Sequence, residues 1–373
     1  MKIGINARFL QHPYTGIGQY TKSLIMTLAQ MEPQNEYFLF LPELSEISFP
    51  ENCHQIRVVE KENSSKSIQK ANWEHVLLPA EMQKVGVNIA HFLYPSNPWR
   101  KLPMPTIVTV HDVIPWVIPE YSRKLRSKIY HMHAKLALKK ADHIITVSEF
   151  SKSEIIKYLK IQEKNITVTP LAPPLTENPI SYPDLPLRRK FFLYVGGYDE
   201  RKNVVNLLIA YQKHIAPFYQ IDLIMVGGKN KGLDEIITDE FCDRVDKKYP
   251  LKLKGKVVFT DSLEQSELQC LYRQAMALVH VSTYEGFNLP LVEALSAGIP
   301  IVTSDIPVHR EVTKDNALFV DPHDINAIGN GMHQLINDPA LQRELSAQGK
   351  ERSRDFSWEK TAEETLYVYN LFA

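Results

Sequence analysis

Two hydrophobic patterns alternate along this chain. Short apolar runs such as KIGINA, EYFLFLP, IVTV, FFLYV and IDLIMV predict buried strands of parallel sheets. Between them lie segments with apolar residues four apart, for example Tyr20, Leu24 and Leu28, which predict amphipathic helices. The polar run from Glu62 to Gln69 interrupts the pattern and predicts a surface loop. The alternation as a whole predicts an α/β fold made of doubly wound sheets.

The pattern of strand, Gly-bearing turn and helix begins twice. A proline-rich stretch without helical periodicity runs from Thr169 to Lys190, and FFLYVGGYDERKNVVNLLIAYQ then repeats the plan of the N-terminus. A chain of 373 residues is also long enough for two cores. We therefore predict an N-terminal domain over residues 1–170, a linker over 171–190 and a C-terminal domain over 191–356.

One stretch, TYEGFNLPLVEALSAGIP, combines a tight loop with a helix that has clear end signals. Pro290 suits the first turn of a helix, and Gly298 suits the position just after its end, so the helix is predicted from Leu289 to Ala297. The helix N-terminus presents unpaired N–H groups and the positive end of the helix dipole. The loop before the helix therefore suits an anion.

Two carboxylates, Glu285 and Glu293, lie in this stretch. A carboxylate can accept hydrogen bonds from two hydroxyls of a sugar or a ribose, whereas a phosphate favours a helix N-terminus and basic side chains. The combination predicts a nucleotide sugar lying across the loop. The alternative is that Glu285 is simply a charged loop residue and Glu293 a solvated helix residue. For Glu293 this is poorly supported, because the apolar Val292, Ala294 and Leu295 flank it.

The pattern EGF-x-L-P-x-x-E-A-x-x-x-G-x-P resembles the signature of glycosyltransferase family 4, retaining enzymes of the GT-B fold, in which two Rossmann-like domains face a cleft. The resemblance implies that Glu285 contacts the donor sugar at the catalytic centre and that Glu293 binds the ribose. It also implies that the loop holds the sugar and phosphate, through Gly286, Phe287, Asn288 and Leu289. The family usually has glycine in place of Asn288, and asparagine tolerates positive φ, so the loop can keep its shape while the donor-sugar pocket changes.

His111 and Asp112 follow the apolar run TIVTV, at the carboxyl end of a predicted central strand, where open α/β sheets bind ligands. A single histidine is more often structural, but V-T-V-H-D-x-x-P resembles bacterial family 4 enzymes. That resemblance implies a catalytic-site role for His111, near the donor sugar and acceptor. Gly16 and Gly18, after the first strand, would let a ligand approach the backbone, although they can equally form an ordinary tight turn.

Arg201 and Lys202 precede a predicted helix and would meet an anion at its N-terminus. In the family that the chain resembles, a basic pair in this turn binds the donor diphosphate. Lys202 matches that pattern, whereas Gly197 occupies the usual arginine position and Arg201 stands in for it. Asp261 takes the place of a common glycine near the base, so we expect it either to contact a base edge or to cap the next helix.

Composition limits the possible partners. The formal net charge is zero, which argues against nucleic acid as a partner of the whole chain. Cys53, Cys242 and Cys270 show no paired spacing, and no Asp-x-Asp motif is present, so neither a metal nor another cofactor is expected. No apolar run approaches the ~20 residues of a membrane span, and the N-terminus does not read as a signal peptide. We therefore expect a cytoplasmic protein.

Positive charge is concentrated in the first half of the chain. Residues 1–170 contain 21 Lys/Arg against 15 Asp/Glu, and residues 123–140 contain seven Lys/Arg and no acidic residue. A helix is predicted from Ser122 to Lys140, and its basic face can be either an ordinary solvated surface or a site for anionic lipid or an acceptor phosphate. Polysaccharide-building members of the family commonly use lipid-diphosphate-linked acceptors. This implies a peripheral enzyme on the cytosolic face of a membrane.

The family match extends over nearly the whole chain and implies that the last helix, 357–373, crosses back onto the first domain. It implies a retaining glycosyltransferase that moves a hexose from a nucleotide sugar to a glycan or lipid-linked glycan acceptor. TGIGQY, VTVHDVIP and RKN look most like the bacterial mannosyltransferase branch, which favours GDP-mannose over a UDP-sugar or ADP-glucose. The alternative is a GT-B sugar-nucleotide-binding protein, or an epimerase, without glycosyl transfer.

Overall fold

The computed structural model describes residues 1–60, 65–122, 125–175, 189–227 and 254–373. They form two compact units, of which one comprises Met1–Ala172 with Ser357–Ala373 and the other Pro173–Phe356. Most of the predicted linker, residues 176–188, lies outside the described ranges, as does Cys242. Each unit is built around its own parallel sheet.

The sheet of the first unit contains seven parallel strands in its described part. They are β1 Lys2–Asn6, β2 Glu36–Leu41, β3 Cys53–Arg57, β4 Ile89–Phe92, β5 Thr106–Val110, β6 His143–Thr146 and β7 Ile166–Val168. Their order across the sheet is β3-β2-β1-β4-β5-β6-β7. Every residue of β5 is buried, as its continuous apolar sequence predicts for a central strand covered on both faces.

Helices cover this sheet. They are α1 Gly16–Met31, α2 Lys66–Asn72, α3 Leu78–Val85, α4 Ile114–Val117, α5 Leu125–Leu138 and α6 Glu149–Glu154, and a π-helical turn, Trp73–Leu77, joins α2 to α3. The prediction of a surface loop was wrong from Lys66 onward. Trp73 is buried and its Nε1 donates to Val58 O at 2.6 Å, which anchors the helical segment to the unit. Residues 61–64, 123 and 124, including Glu62, Arg123 and Lys124, lie outside the described part.

The second unit has six parallel strands among its described residues. They are β8 Lys190–Val195, β9 Ile221–Val226, β10 Val257–Thr260, β11 Ala277–His280, β12 Ile301–Ser304 and β13 Leu318–Val320. Its helices are α7 Val204–His214, α8 Gln265–Gln274, α9 Leu289–Ala297, α10 Pro307–Thr313, α11 Ile325–Asn337 and α12 Pro339–Ser353. The strand order is β10-β9-β8-β11-β12-β13.

Both sheets are doubly wound, as predicted. In the first, β1 lies between β2 and β4; in the second, β8 lies between β9 and β11. The direction in which strands are added reverses at these points, and open α/β sheets bind ligands beyond the carboxyl ends of the strands there. The loops after β8 and β11 are therefore the expected site of the second unit.

The C-terminal helix, α13 Trp358–Asn370, belongs to the first unit. Ser357 caps its N-terminus, and Thr361 Oγ1 donates to Pro170 O at 2.6 Å. The Tyr369 hydroxyl lies 2.7 Å from His91 Nδ1, and His91 Nε2 lies 2.9 Å from Thr109 Oγ1 on β5. These buried hydrogen bonds fix the helix against the sheet.

Candidate active site

The stretch after β11 folds as its sequence predicts. Helix α9 begins at Leu289 and ends at Ala297, with Pro290 in its first turn and Gly298 at φ 70° just after its end. Asn288 has φ 85°, in the left-handed region that asparagine tolerates better than most residues. The N-terminus of α9 thus lies beside the carboxyl ends of the central strands.

Glu285 is the centre of a buried charge cluster in this loop. Its carboxylate lies 2.5 Å from Arg201 Nη1 through Oε2 and 2.6 Å from Lys202 Nζ through Oε1. Burial alone would raise the pKa of Glu285, but Lys202 and Arg201 outweigh it and hold the pKa well below the usual range. Glu285 is therefore an anion between two cations, and it unites sequence segments more than 80 residues apart.

Hydrogen bonds to backbone oxygens also join the loops after β8 and β11. Thr283 N donates to Arg201 O at 2.7 Å. Asn203, which has φ 56°, donates from Nδ2 to Val281 O at 3.0 Å and to Pro322 O at 2.6 Å. These bonds hold Arg201 and Lys202 in position against the Glu285 loop, at the switch point of the sheet.

Behind this cluster, Asn288 bridges two buried histidines. Its Nδ2 lies 3.0 Å from His280 Nδ1 and 2.8 Å from His309 Nε2. His309 Nδ1 lies 2.8 Å from Thr303 Oγ1 and 3.2 Å from Ser304 O. His280, Asn288 and His309 are each at most 6% exposed, so the hydrogen bonds among them replace bonds to water.

The hydrogen-bond network assigns the tautomers of these rings. Ser304 O can only accept, so His309 Nδ1 carries the proton and His309 Nε2 accepts from Asn288. The second amide proton of Asn288 then goes to His280 Nδ1, which leaves the proton of His280 on Nε2. Within the described residues His280 Nε2 and Asn288 Oδ1 are buried without a hydrogen-bond partner. Burial lowers the pKa of His309 to about 4, and that of His280 also falls below its usual value, so both rings are neutral.

Glu293, one turn inside α9, belongs to a separate polar cluster. Its Oε2 accepts from the Tyr272 hydroxyl at 2.6 Å, and burial raises the pKa of Glu293. The two side chains line a small cavity of about 80 Å³, together with Gln265, Arg273 and Pro173. The two glutamates therefore have different surroundings, one ion-paired and the other hydrogen-bonded to a phenol.

The remaining loop residues have mainly backbone roles. Gly286 and Phe287 are buried, and the Phe287 ring packs edge-on against Phe356 at 5.9 Å between centroids, so it anchors the loop in the core. Leu289 is half-buried at the first position of α9. The backbone of this segment, rather than its side chains, is what the loop can offer to a ligand.

Asp261 is exposed just after β10. The alternative that it caps the following helix was wrong, because α8 begins at Gln265 with Glu264 as its N-cap. Glu264 and Glu267 form a reciprocal capping box. Asp261 is therefore an exposed side chain near the carboxyl end of β10.

Gly16, Gly18 and His111 lie in the first unit. Gly16 and Gly18 open α1, which Thr15 caps by accepting from Gly18 N at 3.1 Å. A Cβ at Gly18 would lie 2.1 Å from His12 O, so the turn requires glycine there. His111 Nε2 donates to Leu93 O at 3.0 Å, which leaves Nδ1 as the acceptor nitrogen, and burial lowers its pKa to about 4.

Two models of known families match this chain. "Glycosyltransferase Family 4" matches residues 14–172, and "Glycosyl transferases group 1" matches residues 181–352. The chain belongs to glycosyltransferase family 4. As a member of this family it is a retaining hexosyltransferase of the GT-B fold.

Similar proteins are consistent with that membership. The chain is 29% identical to O-antigen chain mannosyltransferase B of Escherichia coli, over the full length of both chains. It is 31% identical to O-antigen chain mannosyltransferase RfbU of Salmonella typhimurium, over 58% of this chain and 57% of that one. Among solved structures, sucrose-phosphate synthase of Thermosynechococcus elongatus shares the fold with a TM-score of 0.77, 21% identity and coverage of 100% and 98%.

The sequence of this family 4 enzyme contains one signal for the histidine network. His280 is the one polar residue among the apolar positions of ALVHV, and a polar residue inside a central strand needs a buried partner. His309 and Tyr272 carry no such signal, because only the packing of α8 and α10 brings them to the site.

Neither a metal cluster nor a membrane span is found in the parts of this enzyme that the structure describes. No group of three or more His, Cys, Asp or Glu is placed there to hold a metal ion. No described helix combines the length and apolar character that crossing a membrane requires.

Replacing Asn288 with alanine should lower both the unfolding free energy of the enzyme and the rate of the transfer reaction. The substitution leaves His280 Nδ1 and His309 Nε2 without their shared donor and places alanine at φ 85°, so we expect a loss of about 2–4 kcal/mol in unfolding free energy. Asn288→Gly removes only the hydrogen bonds, because glycine accepts the backbone conformation. Chemical denaturation of both variants checks this. Alanine and glycine variants of equal stability would show that the backbone conformation contributes nothing.

Stability should also fall as the pH drops from about 6.5 toward 4. The pKa values of His111 and His309 are about 4 in the folded enzyme and that of His91 is about 3, so the unfolded chain takes up these protons first. Each histidine then contributes about 1.4 kcal/mol per pH unit of lost stability across that window. Denaturation at pH 7, 6 and 5 measures the slope. His91→Asn should reduce the slope and a substitution at the exposed His12 should not; equal slopes in both variants would contradict the assignment.

Proposed function

We propose that this enzyme transfers mannose from GDP-mannose, with retention of anomeric configuration, to a lipid-linked glycan of O-antigen type. The observation that carries the proposal is the Glu285 carboxylate held between Arg201 and Lys202 at the switch point of the second unit, beside the N-terminus of α9. The choice of mannose rests on the two mannosyltransferase relatives and on the motifs of the sequence.

In the free enzyme the two cations are engaged by Glu285, so a bound donor must change this pairing. We propose that the diphosphate draws Lys202 and Arg201 toward itself, since phosphate oxygens compete with a carboxylate for the same N–H donors. Glu285 is then available to accept hydroxyls of the donor sugar. Glu293, already oriented by Tyr272, accepts the ribose hydroxyls, and Asp261 lies toward the base.

In the transfer step the bond between the anomeric carbon and the diphosphate oxygen breaks, and the electron pair leaves with GDP. The acceptor hydroxyl forms the new bond on the same face and gives its proton to the departing phosphate oxygen. Lys202, Arg201 and the α9 N-terminus stabilise the negative charge that develops there. The neutral His111 supplies Nδ1 as an acceptor for a sugar hydroxyl. Glu285 orients the sugar and is not the nucleophile.

We also propose that these cations and the helix dipole take the place of a metal ion at the diphosphate. Membrane association completes the proposal, because a lipid-linked acceptor must be met at a surface. The positive excess of residues 1–170 suits the anionic cytosolic leaflet, which would make the enzyme a peripheral one in the cytoplasm.

A thermal-shift panel with GDP, UDP and ADP tests the donor. A ligand at 100 times its dissociation constant stabilises the folded chain by about 2.7 kcal/mol, so GDP should raise the melting temperature and the other two should not. Incubation with GDP-mannose and a mannose-terminated acceptor should then release GDP in step with a new glycosidic linkage. Stabilisation by UDP and not by GDP would overturn the donor, and binding of GDP-mannose without release of GDP would favour a binder or an epimerase.

A further inference from the structure

The imidazole of His280, the last residue of β11, has one nitrogen whose role the fold does not explain. Asn288 Nδ2 can only donate, so His280 Nδ1 accepts from it and the ring proton is on Nε2. The side chain is 0% exposed, and Nε2 has no hydrogen-bond partner in the part of the chain that the structure describes. A buried N–H group without an acceptor destabilises a fold, so a functional reason for it is expected.

The Nε2 atom of His280 lies beside the loop that follows β8. A Cβ built on Gly196 would lie 3.7 Å from His280 Nε2 and 3.1 Å from the Tyr194 hydroxyl. The Tyr194 ring stacks on the imidazole, with centroids 5.4 Å apart and an angle of 15° between the planes. The Tyr194 hydroxyl in turn donates to Gly197 O at 2.5 Å. The imidazole is therefore held in one orientation, with Nε2 at the carboxyl ends of β8 and β11, where the strand order reverses.

The groups that we place on the donor diphosphate are close to this N–H. Asn288, which holds His280 Nδ1, is also the N-cap residue of α9, so the imidazole lies next to the N-terminus of that helix. Burial lowers the pKa of His280, and among the charged groups Lys202 contributes most to that shift. The ring is therefore neutral, and its N–H lies where the helix dipole and the Lys202 ammonium group both attract an anion.

We propose that His280 is a further donor-binding residue, whose Nε2–H donates a hydrogen bond to the diphosphate of the nucleotide sugar. The inference rests on the proposed function and adds a residue to its binding site. A phosphate oxygen suits this position because it only accepts hydrogen bonds and its charge strengthens them. Gly196 and Gly197 have no side chains, so a phosphate oxygen can approach the N–H past their backbone when Lys202 turns from Glu285 to the diphosphate.

Two substitutions of His280 separate the roles of its nitrogens. His280→Asn keeps an acceptor near the position of Nδ1 and lacks the Nε2–H group, whereas His280→Gln places an amide N–H near the position of Nε2 and lacks the Nδ1 acceptor. His280→Asn should therefore keep most of the stability and bind the nucleoside diphosphate about 10–100-fold more weakly, the usual effect of one hydrogen bond to a charged group. His280→Gln should show the opposite, lower stability with most of the affinity kept.

Calorimetric titration of the intact enzyme with GDP, UDP and ADP, and with guanosine, uridine and adenosine, measures the affinities. Chemical denaturation measures the stabilities. The loss in His280→Asn should be confined to the nucleoside diphosphate that the wild type binds, because the corresponding nucleoside lacks phosphates. His143→Asn is the matched control for loss of a buried imidazole, since Nε2 of His143 lies 2.9 Å from Thr167 Oγ1 in the first unit, and it should leave both affinities unchanged.

Three results would overturn the inference. The first is equal affinity of the wild type and His280→Asn for the nucleoside diphosphate. The second is a loss of affinity that follows the loss of stability in both variants, which would make His280 purely structural. The third is a loss seen with GDP-mannose and not with GDP, which would place the sugar at Nε2. All three leave the proposed function intact, whereas a wild type that binds none of the three diphosphates would overturn the proposed function and this inference together.

Discussion

Lys202→Ala should reduce the rate of glycosyl transfer by more than tenfold, and by as much as about 10²–10³-fold. Lys202 Nζ lies 2.6 Å from Glu285 Oε1 in a buried position, where a positive charge aimed at the leaving diphosphate is worth several kcal/mol in the transition state. The fold should survive, because Arg201 still compensates the Glu285 carboxylate. Initial rates of GDP release at saturating donor measure the effect on turnover, and titration with GDP measures the effect on diphosphate binding, which should also weaken.

Two variants serve as controls for Lys202→Ala. Lys213→Ala removes a lysine of α7 in the same unit, which donates to Asn326 Oδ1 at 2.8 Å, and it should leave the rate unchanged. Lys202→Arg keeps the charge with a different geometry and should recover part of the loss. Turnover by Lys202→Ala at the wild-type rate would refute the placement of the diphosphate beside Lys202.

Glu285→Gln should reduce transfer by at least 10²-fold while GDP binding is kept or becomes tighter. The substitution removes the hydroxyl acceptor of the donor sugar, but it also frees Arg201 and Lys202 from the carboxylate that competes with the diphosphate. It leaves the buried Lys202 without its anion, while Arg201 keeps Asp199 at 3.1 Å, so unfolding free energy should fall by about 3–5 kcal/mol in GDP-free enzyme. Part of that loss should return when GDP is added, because the diphosphate supplies the missing negative charge.

Comparing GDP binding by Lys202→Ala and by Glu285→Gln tests the proposed exchange of partners more directly than either variant does alone. Lys202→Ala weakens GDP binding, whereas Glu285→Gln does not, and a merely structural ion pair would give parallel losses in both. Glu200→Gln, an exposed neighbour in the same turn, is the matched control for loss of a carboxylate and should change neither rate nor affinity. Weaker GDP binding by Glu285→Gln would show that the cations do not have to leave Glu285 when the donor binds.

Local signals in the sequence were sufficient to predict the secondary-structure elements of the site. Pro290 and Gly298 determine where α9 begins and ends, because one lacks the N–H that a first turn does not need and the other adopts φ 70° without strain. The apolar run of β5 likewise determined a strand buried on both faces. These features depend on backbone chemistry within a few residues, and a sequence shows such chemistry directly.

Which residues far apart in the sequence contact one another was decided only by the tertiary structure. That Glu285 is ion-paired to Arg201 and Lys202, residues 84 and 83 positions away, follows from the adjacency of β8 and β11, which no local pattern encodes. The same holds for Asn288 between His280 and His309: an asparagine in place of glycine predicted a tolerated left-handed turn, but not the two imidazoles that its amide joins. Strand order brings distant residues together, and their charge and hydrogen-bonding state depend on burial and neighbours that exist only once the sheet has formed.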